Sequence, residues 1–342
     1  MINMRQVTEL TDKVVIGIDG GGTHTRVMVC DLNGKVQAYT EKGPASIYRD
    51  ASATINVMNA IEEALGQAGK SPKQVLGVAA GIAGYDAESD LEWITPLTEV
   101  PGLICPKWHV NDAVIAHQGA LMMQPGIVVI AGTGSNILAI TENGQHLRND
   151  HFHHYAASGA RSISYDAVYE ILAGNRDSTD DALITAMKIH WHVETLSEFY
   201  QLAKMGFEAD RQARDRTFGR FTPRVTEAAA KGSSTAMRVC DRAVSQIKVG
   251  VEILASSFAS ECVDVALIGG VANSSYVSEA LTRQLHLGSN RRYRVHKPIF
   301  SPVAGAILLA LHKLQVPISP EIITNLQMSP YAAGSKEQPA RI

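Results

Sequence analysis

Two short glycine-rich segments carry the residues best suited to hold a phosphate group. The first is GGGT from Gly20 to Thr23, after the β-branched run VVIGI, and the second is GTGSN from Gly132 to Asn136, again between strand-like runs. Glycine lets a phosphate approach the backbone N–H groups without a Cβ in the way. One such triplet alone is more often a tight hairpin, whereas two matching loops favour phosphate binding. The residues predicted to contact the phosphates are Gly20, Gly21, Gly22, Thr23, Thr25, Gly132, Thr133, Gly134, Ser135 and Asn136.

Two aspartates stand where phosphoryl-transfer chemistry needs a carboxylate. Asp19 ends the strand before the first loop and could hold Mg²⁺ through water, because Mg²⁺ prefers oxygen ligands and keeps much of its hydration. Asp112 follows a strand and precedes a helix, so it should lie at the carboxyl edge of a sheet, where open α/β folds bind ligands. From position alone, a helix N-cap formed by Asn111 or Asp112 is an equally good interpretation.

The elements that must position these residues alternate between strands and helices. Asn33-Gly34 predicts a hairpin turn, with positive φ available at both positions, and residues 50–69 have the apolar spacing of an amphipathic helix. Strands are expected from Val75 and from Trp108. This alternation indicates a largely parallel α/β architecture.

The pattern of strand, glycine-rich loop, strand and Asn-Gly turn that begins at Val14 returns near the middle of the chain. GIVVIAGTGSNILAIT from Gly126 again predicts a strand, a glycine turn and a strand, with Asn143-Gly144 as the next hairpin turn. We therefore expect an internal duplication. A helix-rich stretch from about Asp166 to Ala259 follows, then the strand and glycine pair of VALIGGVAN, and the residues after Pro317 are expected to be peripheral.

Length and composition restrict the class of protein. A chain of 342 residues that is 45% hydrophobic and 19% charged can fill two cores. A net charge of -3 argues against nucleic acid and anionic membranes as partners and favours a small molecule. The four cysteines form no CxxC pair, no apolar stretch reaches spanning length, and the polar N-terminal residues do not form a signal peptide, so a cytoplasmic protein is expected.

Five short motifs resemble those of the N-acetylglucosamine kinase and BadF/BadG/BcrA/BcrD ATPase branch of the sugar kinase, actin and heat-shock chaperone superfamily. Along the chain they are GIDGGGT, GIAGYD, VNDA, IAGTGSN and IGGVAN, which is the order of the family. GIDGGGT resembles the first phosphate motif of that family, IAGTGSN the second and IGGVAN the adenosine motif, while GIAGYD and VNDA match two further signatures. The resemblance spans roughly residues 14–312, and the shared order is more specific than any single motif.

The resemblance implies an α/β fold of two ribonuclease-H-like, actin-like ATPase lobes with a nucleotide cleft between them, in which the two phosphate loops face each other. It implies an N-terminal lobe of residues 1–121 and a C-terminal lobe of 122–342 with a helical insertion, whose last helix, about 302–315, crosses back toward the first lobe. ATP and Mg²⁺ are the implied cofactors, with Gly269, Gly270 and Asn273 at the adenosine, and the implied assembly is a homodimer. Asp112 would accept the proton from the attacking hydroxyl.

The implied substrate-binding residues depart from the family pattern. Sugar kinases of this branch carry an Asn-bearing GPAN-like segment, a Gly-Trp-Gly and an acidic GDEGS segment; this chain has GPAS at 43–46, Phe152 in place of the Trp, and ASGAR at 157–161, so both acids are absent. Arg161 would instead favour an anionic ligand. The predicted substrate residues are Ser46, Gly84, Asp112, Phe152, Ser158 and Arg161.

Three functions are compatible with these residues. The first is an ATP-dependent phosphotransferase acting on a hydroxyl of an amino sugar, such as N-acetylglucosamine or glucosamine, or of a related small molecule. The second is an ATP-binding regulator or degenerate kinase that has lost sugar turnover, which the missing acids favour. The third, ranked last because the cysteines are not paired in sequence, is an iron–sulfur activator ATPase of a dehydratase.

Several other clusters have simpler interpretations. Gly69-Lys70-Ser71 looks like the end of a P-loop, but a helix precedes it, so a helix end is expected. His151, His153 and His154 lack the spacing of a zinc motif and should form a solvated loop. The basic run 291–297 is expected to be an exposed strand with alternating charges.

Overall fold

The computed structural model describes residues 12–334, which form two compact units. Unit 1 comprises the described residues up to Gln124 together with those from Lys297 onward, and unit 2 is Pro125–His296. Residues up to Thr11, on which the prediction of no signal peptide depends, lie outside the described part.

The regular elements alternate in both units. The first part of unit 1 contains β1 (Val14–Gly20), β2 (Thr25–Asp31), β3 (Val36–Lys42), α1 (Ala53–Gln67), β4 (Val75–Ile82), α2 (Leu91–Ile94), β5 (Lys107–Asn111) and α3 (Asp112–Ala120). Unit 2 contains β6 (Gly126–Ala131), β7 (Ser135–Ile140), β8 (His146–Arg148), α4 (Ala160–Leu172), α5 (Asp181–His190), α6 (Leu196–Lys204), α7 (Arg211–Ala230), α8 (Ser234–Ala255), β9 (Cys262–Ile268), α9 (Ser275–His286) and β10 (Arg292–His296). The chain then returns to unit 1 with α10 (Pro302–Lys313) and α11 (Pro320–Gln327).

The two units contain sheets of the same topology. The five strands of unit 1 have the order β3-β2-β1-β4-β5, and those of unit 2 have the equivalent order β8-β7-β6-β9-β10. In each sheet the first three strands along the chain pair antiparallel, and the last two are parallel to the first. The predicted α/β class with two related sheet-containing units is confirmed.

Unit 1 has a helix-covered layer on each face of its sheet. Alternate residues of β1 point to opposite faces, as the two-residue period of a strand requires. Ile16 packs into the core shared with α1, whereas Val15 packs into the core shared with α10. Nine residues of α10, Val303 to Leu311, are buried, so this helix is a central layer of the unit.

In unit 2 the helices between β8 and β9 build one large core. Phe199, Phe218 and Phe221 are fully buried there, around Trp191. The edge strand β10 buries Tyr293 and exposes Arg292 and Arg294, which face Glu261 and Asp264 respectively. The expectation of an exposed strand with alternating charges is therefore confirmed.

Both Asn-Gly dipeptides form the predicted hairpin turns. Gly34 and Gly144 have positive φ, whereas neither Asn33 nor Asn143 does. The Asp31 carboxylate accepts hydrogen bonds from the N–H groups of Asn33 and Lys35 and so stabilises the turn at Asn33-Gly34. Positive φ is available at both positions of an Asn-Gly pair, but each of these turns uses it only at the glycine.

The segment after Pro317 was expected to be peripheral, and this is wrong. Ile322 and Leu326 of α11 are buried in the core of unit 1, and Asn325 Nδ2 donates a hydrogen bond to the carbonyl of Asn33. Gly69, by contrast, directly follows the C-cap of α1 and has a φ of 63°, as the helix-end interpretation predicts. None of the helices in residues 12–334 is long and apolar enough to cross a membrane.

Candidate active site

In unit 1, the predicted site residues lie at one edge of the sheet. The parallel strands β1, β4 and β5 are in register there, with Gly20 opposite Ile82 and Ile82 opposite Asn111. The first phosphate loop, the GIAGYD turn and the start of α3 therefore follow three neighbouring strand ends. This is the edge where parallel α/β sheets bind ligands.

The first phosphate loop is tied to its neighbours through its backbone. Gly20 O accepts a hydrogen bond from Ala83 N at 2.8 Å, and Gly21 O accepts one from Ala45 N at 3.1 Å. Gly22 and Thr23 are exposed at the loop tip. Thr25 is different: it is fully buried and its hydroxyl donates to Gly43 O at 2.8 Å. Its role is to hold the loop against the GPAS segment, so we leave it out of the proposed phosphate contacts.

Asp19, the predicted magnesium residue, has an arginine partner. Arg26 Nη1 lies 3.0 Å from Asp19 Oδ2, and the aspartate is 7% exposed. Burial raises the pKa of the Asp19 carboxyl above its usual range, although the Arg26 guanidinium acts in the opposite direction. Arg26 was not predicted as a site residue, because an arginine on a strand has no distinctive sequence signal.

The roles of Asn111 and Asp112 can now be separated. Asn111 is the N-cap of α3, where its Oδ1 accepts a hydrogen bond from Ala113 N at 2.9 Å. Its Nδ2 donates to Tyr85 O at 2.9 Å, which joins the VNDA motif to the GIAGYD turn. Asp112 is the first residue of the helix and is partly exposed. The cap is therefore Asn111, and the carboxylate of Asp112 is not needed for that function.

Ser46 and Gly84, both predicted to contact substrate, are placed differently. Ser46 is 5% exposed, and its carbonyl accepts hydrogen bonds from Arg49 N and Asp50 N, so it shapes the GPAS loop. Gly84 has a φ of 88° and lies beside Tyr48 and Trp93, whose rings meet edge to face at 5.8 Å. This aromatic pair was missed, because the two residues lie far apart in sequence.

In unit 2, the second phosphate loop and the predicted adenosine motif meet at the ends of two parallel strands. Ile130 of β6 lies opposite Ile268 of β9, and Ala131 O accepts hydrogen bonds from both Val271 N and Ala272 N at 3.1 Å. The motifs are 137 residues apart when counted from Gly132 to Gly269 (269 − 132), yet their backbones are in contact. These two motifs of unit 2 thus form one local structure.

The exposed glycines of these loops leave room that a ligand can occupy. A Cβ built on Gly134 or Gly270 would meet no protein atom within 4 Å. Asn273 stabilises the turn behind them, since its Nδ2 donates to Leu267 O and Gly269 O. Open backbone surface of this kind fits the close approach of a nucleotide.

The start of α4 packs directly on the second phosphate loop. Ala160 N donates to Gly132 O at 2.7 Å, and a Cβ on Gly159 would lie 3.0 Å from the carbonyl carbon of Gly134. Ser158 Oγ and Ser135 Oγ are hydrogen-bonded at 2.7 Å, and Ser158 is fully buried. Gly159, the N-cap of α4, supplies no side-chain cap, and the first N–H group of the helix, that of Ala160, is satisfied by the loop carbonyl of Gly132 instead.

The remaining predicted substrate residues differ in their surroundings. Arg161 is half exposed and pairs with Asp215 at 2.8 Å. Phe152 ends a short 3₁₀ helix, Asn149–Phe152, and is also half exposed. In the neighbouring histidine run, His151 and His153 are exposed as expected, whereas His154 packs against Gly250 of α8. The solvated-loop interpretation was therefore wrong for His154.

Comparison with known proteins identifies the family. The family model of the BadF/BadG/BcrA/BcrD ATPases matches residues 16–310. This chain belongs to that ATPase family. All five motifs and both described sheet edges of the BadF/BadG/BcrA/BcrD ATPase fall within the matched range.

Several relatives of this BadF/BadG/BcrA/BcrD ATPase are sugar kinases. The N-acetylmuramic acid/N-acetylglucosamine kinase of Clostridium acetobutylicum is 26% identical over 291 residues, which are 80% of this chain and 91% of that protein. The glucosamine kinase of Vibrio cholerae is 31% identical over 121 residues, 35% of this chain and 41% of that protein.

Solved structures share the fold. A Chromobacterium violaceum protein provisionally described as an N-acetylglucosamine kinase superposes with a TM-score of 0.68 at 22% identity, covering 87% of this chain and 99% of that one. A glucokinase of the ROK family from Streptomyces griseus superposes with a TM-score of 0.56 at 17% identity, covering 87% and 98%. The sugar-kinase fold predicted from the sequence is confirmed.

Proposed function

We propose that this protein is an ATP-dependent kinase that phosphorylates a hydroxyl group of an amino sugar. Membership of the BadF/BadG/BcrA/BcrD ATPase family and the amino-sugar kinases among its relatives support the reaction class. The observation that carries the proposal is the arrangement at the sheet edge of unit 1. There Asn111 is the N-cap of α3, and Asp112, the first residue of that helix, directly follows β5 at the same sheet edge as the first phosphate loop and the GIAGYD turn.

Most of the predicted site residues have a role in this reaction. Asp112 accepts the proton of the acceptor hydroxyl as its oxygen attacks the γ-phosphorus, and the bond from that phosphorus to the bridging oxygen of ADP breaks. The loops Gly20–Thr23 and Gly132–Asn136 bind the phosphates through N–H groups other than those of Gly21 and Gly132, which donate to His24 O and Gly134 O. Gly269 and Gly270 accept the adenosine. Ser46, Ser158 and Asn273 position the loops that carry these contacts.

Magnesium would be held mainly by the nucleotide phosphates. Mg²⁺ commonly uses one or two carboxylates and several waters in kinase sites, and Asp19 is the carboxylate next to the first loop. Because Arg26 occupies Asp19 Oδ2, an outer contact through water fits better than direct ligation. The ion would neutralise phosphate charge during transfer. We also propose a cytoplasmic homodimer on the basis of the family resemblance.

Replacing Asp112 tests the assigned base. We expect Asp112→Asn to lower kcat for an amino-sugar acceptor by about 10²–10⁴-fold, the usual contribution of a general base, with little effect on ATP binding. ADP release and phosphorylated product should both be measured over a panel of neutral and charged amino sugars. Glu63→Gln on the exposed side of α1 is the matched control and should behave as wild type. Undiminished turnover in Asp112→Asn would contradict the assignment.

A second function has one observation in its favour. Both acids of the family's sugar-binding segment are absent from residues 157–161, which is expected of a protein that retains ATP but has lost sugar turnover. The same panel distinguishes the two proposals: ATP binding without phosphorylated product from any acceptor would support a regulatory ATP-binding protein. An iron-dependent absorbance would instead support the third function, an activator ATPase of a dehydratase. Within residues 12–334 no cluster of three or more His, Cys, Asp or Glu residues could hold a metal ion.

A further inference from the structure

Unit 2 contains a pocket with a cationic lining next to the second phosphate loop. Its volume is about 780 Å³, within the range of small-molecule sites. It lies between α4, the end of α6 and the start of α7. We call it the arginine pocket, and its lining residues that matter here are Ala157, Arg161, Tyr165, Arg211, Arg214 and Asp215.

The charges of this pocket are only partly neutralised by the protein. Asp215 is shared: it pairs with Arg161 at 2.8 Å and accepts a hydrogen bond from the Tyr165 hydroxyl at 3.2 Å. Arg214 Nε donates to the same hydroxyl at 3.2 Å. Among the described residues, neither Arg211 nor Arg214 has a carboxylate within ion-pair distance. Asp166, the other acid of the lining, faces Arg242 at 3.6 Å. Two guanidinium groups thus remain for an anion from outside.

The position of the pocket connects it to the acceptor side of the reaction. Ala157 and Arg161 line it, and the residues between them pack on the second phosphate loop through Ser158 and Gly159. In phosphoryl transfer the acceptor must lie beside the terminal phosphate. A pocket whose lining residues Ala157 and Arg161 flank the segment that packs on the phosphate loop is therefore suited to hold part of the acceptor molecule.

We propose that the arginine pocket binds a carboxylate carried by the acceptor, so that the preferred substrate is an acidic amino sugar. This inference depends on the proposed kinase function and makes its substrate class specific. Planar guanidinium groups match the geometry of a carboxylate and recognise it through paired hydrogen bonds. The loss of both acids from residues 157–161 agrees with such a ligand, since carboxylates there would repel it.

Two acceptors that differ by one acidic group provide the test. N-acetylmuramic acid carries a carboxylate that N-acetylglucosamine lacks, and wild-type enzyme should have the higher kcat/KM for the acid. In Arg214→Gln the ratio of the two kcat/KM values should fall by about tenfold or more, mainly through KM, because a charge-assisted hydrogen bond is lost. Arg216→Gln, on the same helix but outside the lining and paired with Asp210, should keep the wild-type ratio. Equal ratios in Arg214→Gln and wild type would overturn the proposal.

A binding measurement separates failure of this inference from failure of the kinase function. If no sugar is phosphorylated, calorimetric titration of wild type with N-acetylmuramic acid and, separately, with inorganic phosphate still examines the pocket. Binding of the acid that weakens about tenfold in Arg214→Gln but not in Arg216→Gln supports the assignment. Binding of phosphate alone, or no binding, overturns it. Matching melting temperatures of the two variants establish that any loss is local.

Discussion

Two adjacent glycines in the adenosine motif have opposite structural requirements. Gly269 has a φ of 96°, and a Cβ there would lie 2.4 Å from Ala131 O. Gly270 has φ outside the left-handed region and no protein atom within 4 Å of a built Cβ. The first glycine is needed by the fold, and the second is open to a ligand.

This difference predicts opposite consequences of alanine substitution. Gly269→Ala should lower the free energy of unfolding by about 1–3 kcal/mol or more, because it combines backbone strain with a steric clash. Gly270→Ala should fold normally but bind ATP about tenfold more weakly, because its methyl group occupies the space proposed for the nucleoside. Thermal melting and nucleotide titration of both variants provide the measurements. Wild-type ATP affinity in Gly270→Ala would argue against this adenosine site.

At the residue scale, the sequence located the loops better than it distinguished the roles within them. The glycine runs, the Asn-Gly turns and the strand ends all follow from local backbone preferences. Asn111 rather than Asp112 caps α3 because the backbone of Asn111 is extended, with φ −64° and ψ 146°, whereas Asp112 is already helical, and local preference does not separate these two neighbours. The partners Tyr48 and Arg214 depend on contacts between residues distant in sequence, which local patterns do not encode. Arg26 meets Asp19 through the register of β1 and β2, and an arginine on a strand carries no signal of that pairing.

At the level of elements, a buried carboxylate joins two segments of the helical core. Asp180 is fully buried and accepts hydrogen bonds from Ser233 Oγ at 2.6 Å and from Thr235 N at 3.0 Å, at the start of α8. Burial acts to raise the pKa of Asp180, but the hydrogen bonds from Ser233 and Thr235 outweigh it and lower the pKa to about 2. The ionised form is therefore favoured by folding.

The stability of unit 2 should depend on this carboxylate. Because its folded pKa of about 2 lies below the usual 3.8, its contribution is fully present above pH 3.8 and is lost as the pH falls toward 2. Asp180→Asn should cost on the order of 2 kcal/mol of unfolding free energy at pH 7, and the difference from wild type should shrink at lower pH. Urea unfolding at several pH values measures this, with the exposed neighbour Asp181→Asn as control. A pH-independent difference would contradict the linkage.

The helices α10 and α3 approach each other unusually closely. A Cβ on Gly305 would lie 2.0 Å from Ile115 O, and a Cβ on Gly119 would lie 2.6 Å from Ser301 O. These glycines let the two backbones come into contact. Since α3 begins at Asp112, the packing of α10 also fixes the position of the proposed base.

For the whole molecule, the first and last segments of the chain fold together into one unit, and the middle segment forms the other. Unit 1 is built from the described residues up to Gln124 and from Lys297 onward, while unit 2 is one continuous segment with its own core. The sequence predicted the duplication because it repeats a local pattern. It placed α11 wrongly because the apolar face of a short helix gives no signal of its distant partners.

This arrangement predicts how a shortened chain behaves. A protein ending at His296 lacks α10 and α11, so Val15, Met28 and Ala79 lose the residues that cover them. Limited proteolysis should digest the first 124 residues of that chain and leave a resistant fragment close to 125–296. Adding the segment 297–334 as a separate peptide should restore protection. Equal resistance of both parts in the shortened chain would contradict this dependence.

The insertion of unit 2 between the two segments of unit 1 also affects folding during synthesis on the ribosome. β1 and β4 emerge early, but α10 follows only after all of unit 2, a delay on the order of ten seconds or more at about 5–20 residues per second. During that time the nascent chain exposes one apolar sheet face beside a segment that can already fold. Translation speed and chaperone capture should therefore influence the yield of this protein mainly through its first 124 residues.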